Sequence, residues 1–379
     1  MQLLVFGFIF TKLDFKIRNK LKGNIHLLMS FLILISCNKE MINTTNSVHE
    51  DTEFISAVDI SRYQEITDFN PVFYDFDGNQ NNFLSILKEN GVNTIRLKLW
   101  VNPTNEYAGF HEVKQFSKTL KTYGFKIWLT LHYSDTWADP GHQEIPTQWQ
   151  GIGISNLKDS VFNYTKRVVK ELDPNYIQIG NEISTGFLHP YGHISNNYQT
   201  FIALMEMGIS AVRTNSNDAK IIIHFAGIDN SDWFFNQVST LDYDIIGLSY
   251  YPIWHDKSLE NLKTKMELLS NNHNKNILIA ETAYPFTLEW NDWTNNIVGL
   301  DEQLILPAYP ATIEGQREFL KKIKQLTNDV ENGIGFCYWG GELISWKGNQ
   351  SIDASPWENL ALFDFENKAL PVLREFKTE

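Results

Sequence analysis

Eight short apolar runs punctuate the chain, at 56–59, 94–99, 126–132, 176–180, 220–225, 244–249, 276–280 and 334–338, each ending in polar or aromatic residues. Between them apolar positions fall three and four apart, as in "NNFLSILKENG" (81–91), "HEVKQFSKTLKTYG" (111–124), "SVFNYTKRVVKEL" (160–172) and "QREFLKKIKQLTNDV" (316–330). That spacing puts the apolar side chains on one helical face, and Gly closes several of the segments. Continuous apolar strands alternating with such helices imply parallel pairing with both sheet faces covered. Eight units between 54 and 379 fit a single α/β domain, a (β/α)8 TIM barrel. A doubly wound open sheet is the structural alternative, but no Gly-rich phosphate loop follows the first run.

The first 53 residues break this pattern. A basic stretch, "KIRNKLKGN" (16–24), precedes "IHLLMSFLILIS" (25–36), which is apolar but too short to span a bilayer. This is the layout of a signal peptide, expected over 1–36, with 1–15 lying upstream of the true start codon. "LISC" (34–37) resembles the lipidation box of bacterial lipoproteins, so Cys37 is expected to carry the lipid. Residues 37–53 then form a polar tether, and the protein is anchored to the cell envelope without spanning it. The Lys and Glu of "CNKE" point loosely to an outer-membrane, surface-facing position.

Composition narrows the chemistry. A net charge of −13 argues against nucleic acid, which calls for a basic footprint. The only cysteines are Cys37 and Cys337, so neither a disulfide framework nor a Cys-based zinc site is available. Aromatics reach 13%, enough to supply a core and also faces on which sugar rings stack.

Barrel chemistry sits at the carboxyl ends of the strands. Those ends deliver Asp59, Arg96 with Trp100, His132 with Trp137 and Asp139, Asn181 with Glu182, Tyr250 and Tyr251 with Trp254 and His255, Glu281, and Trp339. A lone Glu at a strand end is ordinarily a salt bridge or helix cap. Two of them, on the fourth and seventh strands, face each other across the mouth, one placed to protonate a glycosidic oxygen and the other to attack or activate water. A metal alternative rests on His132, Asp135, Asp139 and His142, but "HYSDTWADPGHQ" carries Pro and Gly, and no second His cluster completes a site. No G-x-S-x-G elbow supports a serine nucleophile.

The blocks "GVNTIRLKLWVNP", "LHYSDTWADPGHQ", "QIGNEISTGFLHP", "DIIGLSYYP", "ETAYP" and "WENLALFDF" run in order through residues 54–376. Together they resemble glycoside hydrolase family 53, the arabinogalactan endo-β-1,4-galactanases, which are retaining enzymes. The resemblance implies that Glu182 is the acid/base, Glu281 the nucleophile and Asn181 the partner of the sugar 2-hydroxyl. It places Arg96 and either Tyr250 or Tyr251 around Glu281, and Trp339 beneath the reacting sugar. Asp59, Trp100, His132, Trp137, Asp139, Trp254 and His255 are implied substrate contacts. The implied partner is a polysaccharide, β-1,4-galactan, bound by a monomer.

The sequence also departs from the family. "YWGGELI" has Gly340 and Gly341 where Glu-Pro often follows Tyr-Trp, His189 stands where an aromatic usually precedes Pro190, and Lys98 replaces a common Arg. No cofactor is required, although some bacterial members hold calcium after strand seven. Here "LEWNDWTNNIVG" offers only Asp292 and Asn296, without an Asp-x-Asp arrangement. Two other functions compete: a β-glycanase acting on mannan, xylan or glucan, and a non-catalytic glycan-binding protein, against which the presence of both acids weighs.

Overall fold

The computed structural model describes residues 53–105 and 107–378, so Cys37 and the expected leader lie outside the described residues. Eight parallel strands close a barrel: β1 (Ile55–Asp59), β2 (Thr94–Leu99), β3 (Lys126–Leu131), β4 (Tyr176–Ile179), β5 (Lys220–Ala226), β6 (Ile245–Ser249), β7 (Asn276–Thr282) and β8 (Gly333–Trp339). An α-helix follows each of the first seven strands: α1 (Phe83–Glu89), α2 (Phe110–Thr122), α3 (Gly153–Leu172), α4 (Tyr198–Arg213), α5 (Ser231–Gln237), α6 (Leu259–His273) and α7 (Ile313–Asn328), with one further short helix, Tyr63–Thr67, between β1 and α1. Three N-termini are capped by a side-chain oxygen: Asn82, Ser258 and Thr312 each accept a first-turn amide.

The barrel interior is filled by Ala57, Trp128, Tyr176, Ile222, Ile245, Leu278 and Cys337, drawn from every strand but β2 and all buried. A larger apolar cluster packs strands against helices. This double burial explains why the strands read as continuous apolar runs.

Two strand ends and the last helix differ from expectation in ways that shape the site and its support. The fourth strand stops at Ile179, not at 180, because Gly180 turns left-handed at φ 80°. The seventh runs on to Thr282 and so carries Glu281 within the sheet. Among the described residues no α-helix forms after β8; a 3-10 turn, Pro371–Phe376, takes the eighth place. It is tied to α7 by an Arg317–Glu375 ion pair of 2.8 Å, and the chain then crosses Gly91, where a Cβ would lie 2.6 Å from Lys377 Cα. A short hairpin, Phe73–Tyr74 with Gln80–Asn81, also sits between β1 and α1 without having been foreseen.

Candidate active site

Strand register sets the site. Asp59 lies level with Arg96 on one side and Trp339 on the other, so three expected residues share one layer at the barrel mouth. Past the end of β4, Gly180 lets the chain kink; a Cβ there would stand 2.4 Å from Ile183 Cγ2. Glu182 is itself left-handed, at φ 47°, a conformation costing a non-glycine residue on the order of 1–3 kcal/mol. Two hydrogen bonds to His224 hold the kink: the Glu182 amide donates to Nδ1 (3.4 Å) and the Ile183 amide to the carbonyl (3.1 Å). Asn181 is fixed from both ends, its Nδ2 donating to the Ala138 carbonyl and its Oδ1 accepting from Arg96, each at 2.8 Å.

Glu281 is aimed differently. The pairing of β7 shifts register on both sides, between Leu248 and Ser249 on β6 and between Phe336 and Tyr338 on β8. Such a bulge turns a side chain that a regular ladder would point elsewhere. Arg96, almost wholly buried, binds Glu281 Oε1 through Nη2 and Asp59 Oδ2 through Nη1, both at 2.8 Å. The Tyr251 hydroxyl donates to Glu281 Oε2 at 3.0 Å.

These surroundings separate the two acids. Glu182 is pushed up to about 8, first by burial and then by the charge of Glu281; the Ser249 hydroxyl, 2.5 Å from Oε1, and more distant Arg96 oppose this only in part. Burial also raises Glu281, but Arg96 and the Tyr251 hydroxyl pull it back. A proton shared by the pair therefore rests on Glu182, while Glu281 is the carboxylate. Tyr251, held well above its ordinary range by burial and by Glu281, keeps its hydroxyl proton for that contact.

Both acids open onto a cleft of about 630 Å³. Its walls are aromatic: Trp339 stands edge-on to Trp357 (4.9 Å) and to Trp137 (5.9 Å), and Trp254 lies 5.8 Å from Trp357. Trp254 is 54% exposed and Trp137 37%, against 8% for Trp357, so the first two form the rim and the third the floor. The Lys98 ammonium sits 4.0 Å over the Trp137 ring and 4.7 Å over that of Trp100, so the departure from Arg retains a cation behind the wall.

Trp137, Asp139, Asn181, Glu182, Tyr251, Trp254, His255, Glu281 and Trp339 all line this cleft. Asp59, Arg96, Trp100 and His132 do not; they are buried beneath it, where Asp59 anchors Arg96, Trp100 backs Trp137 (5.6 Å), and His132 Nδ1 accepts the Ala138 amide (3.1 Å). Tyr250 requires a correction. Only Tyr251 reaches Glu281, because consecutive residues leaving a strand point to opposite faces; Tyr250 is fully buried in the apolar core and offers Glu281 just its backbone amide. Asp292 and Asn296 are also reassigned: the Asp292 oxygens accept the Thr294 amide and Ser345 hydroxyl, and Asn296 Nδ2 donates to the Glu289 carbonyl. Among the described residues they do not assemble the oxygen cage that calcium takes.

Trp357 escaped the sequence reading although "WENLALFDF" contains it; nothing local marks a Trp that folds back from after β8. Ser249 and His224 were missed because each is a polar residue inside an apolar run. So was Glu342, buried, pushed up to about 8 by burial, and bonded through Oε1 to the Arg62 amide at 2.8 Å.

The comparisons with known proteins agree with this geometry. The pattern described as glycosyl hydrolase family 53 matches residues 55–376. An uncharacterized Niallia circulans protein is 36% identical over 85% of this chain and 93% of its own length. An arabinogalactan endo-β-1,4-galactanase of Cellvibrio japonicus is 33% identical over 88% of this chain and 93% of its own. The solved catalytic domain from Ignisphaera aggregans superposes with a TM-score of 0.80 at 34% identity, covering 86% of this chain and 96% of that one. By sequence, fold and the extent of the match, this chain belongs to glycosyl hydrolase family 53.

Proposed function

We propose that the protein is a retaining endo-β-1,4-galactanase acting on the (arabino)galactan side chains of pectin. The observation that carries the reaction is the division of labour between two acids in one aromatic cleft, one held protonated and the other paired with Arg96 and Tyr251. Glu281 attacks the anomeric carbon while Glu182 protonates the departing oxygen, giving a covalent galactosyl–Glu281 ester. Glu182, now a carboxylate, takes a proton from water, which attacks the anomeric carbon and releases the sugar with its configuration retained. Asn181, immobilised by Arg96 and the Ala138 carbonyl, meets the 2-hydroxyl, and Trp339 supports the ring. The double displacement is complete with two carboxylates and calls on no cofactor.

The galactan specificity is supported by the family match and by the named activity of the Cellvibrio japonicus relative. The test is to incubate residues 54–379 with β-1,4-galactan, β-mannan and β-xylan, alongside Glu182→Ala and Glu281→Ala. Short galacto-oligosaccharides from galactan alone, lost in both variants, are the expected result. Cleavage of another glycan would move the specificity, and tight galactan binding without turnover would favour a binding protein.

The same reading includes a lipid anchor at Cys37, supported by the basic and apolar stretches before it and the polar tether after it. Labelling with a radioactive fatty acid in a bacterial host tests it: wild type takes up label and Cys37→Ala does not.

A further inference from the structure

His224 lies wholly buried on β5, away from the cleft, and Ser249, also buried, closes β6. Neither belongs to the pair that performs the displacement, yet both are bonded to it. His224 Nε2 is 2.9 Å from Ser249 Oγ, which is 2.5 Å from Glu182 Oε1. On the other side of the ring, Nδ1 faces Gln178 Nε2 at 3.0 Å, Asn181 Oδ1 at 3.2 Å and the Glu182 amide at 3.4 Å.

The direction of this chain follows from the groups around Nδ1. An amide can only donate, and Asn181 Oδ1 already accepts from Arg96 Nη2 (2.8 Å) and Gln178 Nε2 (3.0 Å), so Nδ1 accepts and the ring hydrogen sits on Nε2. Gln178 agrees: its Oε1 faces the donors Arg96 Nη2 and Thr130 Oγ1, which turns its amide nitrogen toward the ring. Burial and the Arg96 charge hold the imidazole neutral, well below its ordinary range. Nε2–H then donates to Ser249 Oγ, and the single serine hydrogen points at Glu182 Oε1. The chain starts on the Glu182 main chain and ends on the Glu182 side chain, coupling the left-handed kink to the carboxyl it presents.

We infer that His224 and Ser249 are positioning residues for the acid/base: they occupy Glu182 Oε1 and leave Oε2 as the atom that delivers and recovers the catalytic proton. This deepens the proposed double displacement and rests on it for the role of Glu182. In the first step the Oε2–H bond breaks as the proton passes to the leaving oxygen and the glycosidic C–O bond opens. In the second a water O–H bond breaks and its proton returns to Oε2. The serine and histidine hydrogens stay where they are throughout. Oε2 takes no hydrogen bond among the described residues, as this assignment requires. The other groups acting on Glu182 are Glu281 from β7, Arg96 from β2 and Asp139 from the loop after β3; those acting on His224 are Arg96, His132 and His255.

A donor to the ionised carboxylate stabilises that form, so removing it makes Glu182 hold its proton to higher pH. The test is titration of protein carrying ¹³C-carboxyl glutamate by NMR, with the Glu182 signal assigned from its loss in Glu182→Gln. In Ser249→Ala the midpoint is expected to rise by about one pH unit, the size typical of a hydrogen bond to a charged group. Ser249→Thr, which keeps the hydroxyl, stays at the wild-type midpoint; His224→Phe, which keeps the ring volume but not the donor, rises by less than Ser249→Ala. Should Ser249→Ala not fold, Ser249→Cys, a weak donor, replaces it. An unmoved midpoint in Ser249→Ala, or an equal rise in Ser249→Thr, overturns the inference. The titration needs no substrate, so a wild-type protein that leaves galactan intact would count against the activity and not against this assignment.

Discussion

At the scale of single residues, function turns on one proton shared unequally between two carboxyls. Glu182 is pushed up to about 8, so the acid is lost as pH rises through that value and the alkaline limb of the kcat/KM profile of free enzyme should fall near it. Replacing Glu182 by Ala should lower turnover of galactan by about 10²–10⁴, the usual worth of a general acid. An aryl β-galactoside whose leaving group departs without a proton should show a much smaller loss in the first step; equal losses on both substrates would remove Glu182 from that role. The two acids were legible in the sequence because each follows an apolar run and stands beside a residue of matching chemistry. Their partners were legible only by halves. Arg96 within β2 and Tyr251 just past β6 lie in recognisable motifs, whereas Ser249 and His224 are single polar residues in apolar stretches, and only the closed barrel brings β5 and β6 beside the acid.

At the scale of elements, strands were easier to foresee than the irregularities that aim the side chains. Burial on both faces writes a strand into the sequence as an apolar run, so seven of the eight expected runs both begin and end within a residue of the strand formed, and β2 matches at both ends. The left-handed turn at Gly180 and the bulge around Glu281 leave no such mark, since they arise from register with neighbouring strands. The missing eighth α-helix follows the same rule: Pro371 opens only a 3-10 turn, and packing against α7 holds it. The kink makes a direct prediction. Gly180→Ala would force a Cβ into Ile183 and strain a φ of 80°, so it should cost about 1–3 kcal/mol, visible as a lower thermal midpoint, with kcat falling as Glu182 shifts. An unchanged midpoint would mean that Ile183 swings aside and that the kink is less constrained than its geometry indicates.

At the scale of the whole molecule, the barrel supports its site through Arg96, which joins β1, the turn after β4, and β7 around one buried guanidinium. Arg96→Met would leave Asp59 and Glu281 uncompensated and should lower unfolding free energy by about 3–5 kcal/mol, measured as a fall in the urea midpoint. A midpoint near that of wild type would show that the carboxyls relax by taking up protons, with activity lost all the same. The same scale explains what the sequence could not convey about the substrate: the aromatic cleft walls come from the loops after β3 and β6 and from the end of β8, and Trp357 joins them from the segment that follows β8. The most direct measurement is ¹H NMR of β-1,4-galactan during the first minutes of hydrolysis by the wild-type domain, reading the anomeric configuration of newly released ends. Double displacement through Glu281 predicts β-anomers first, with α-anomers growing in only by mutarotation. Ends that appear first as α-anomers would contradict the account, because water would then have attacked directly and Glu281 could not be the nucleophile.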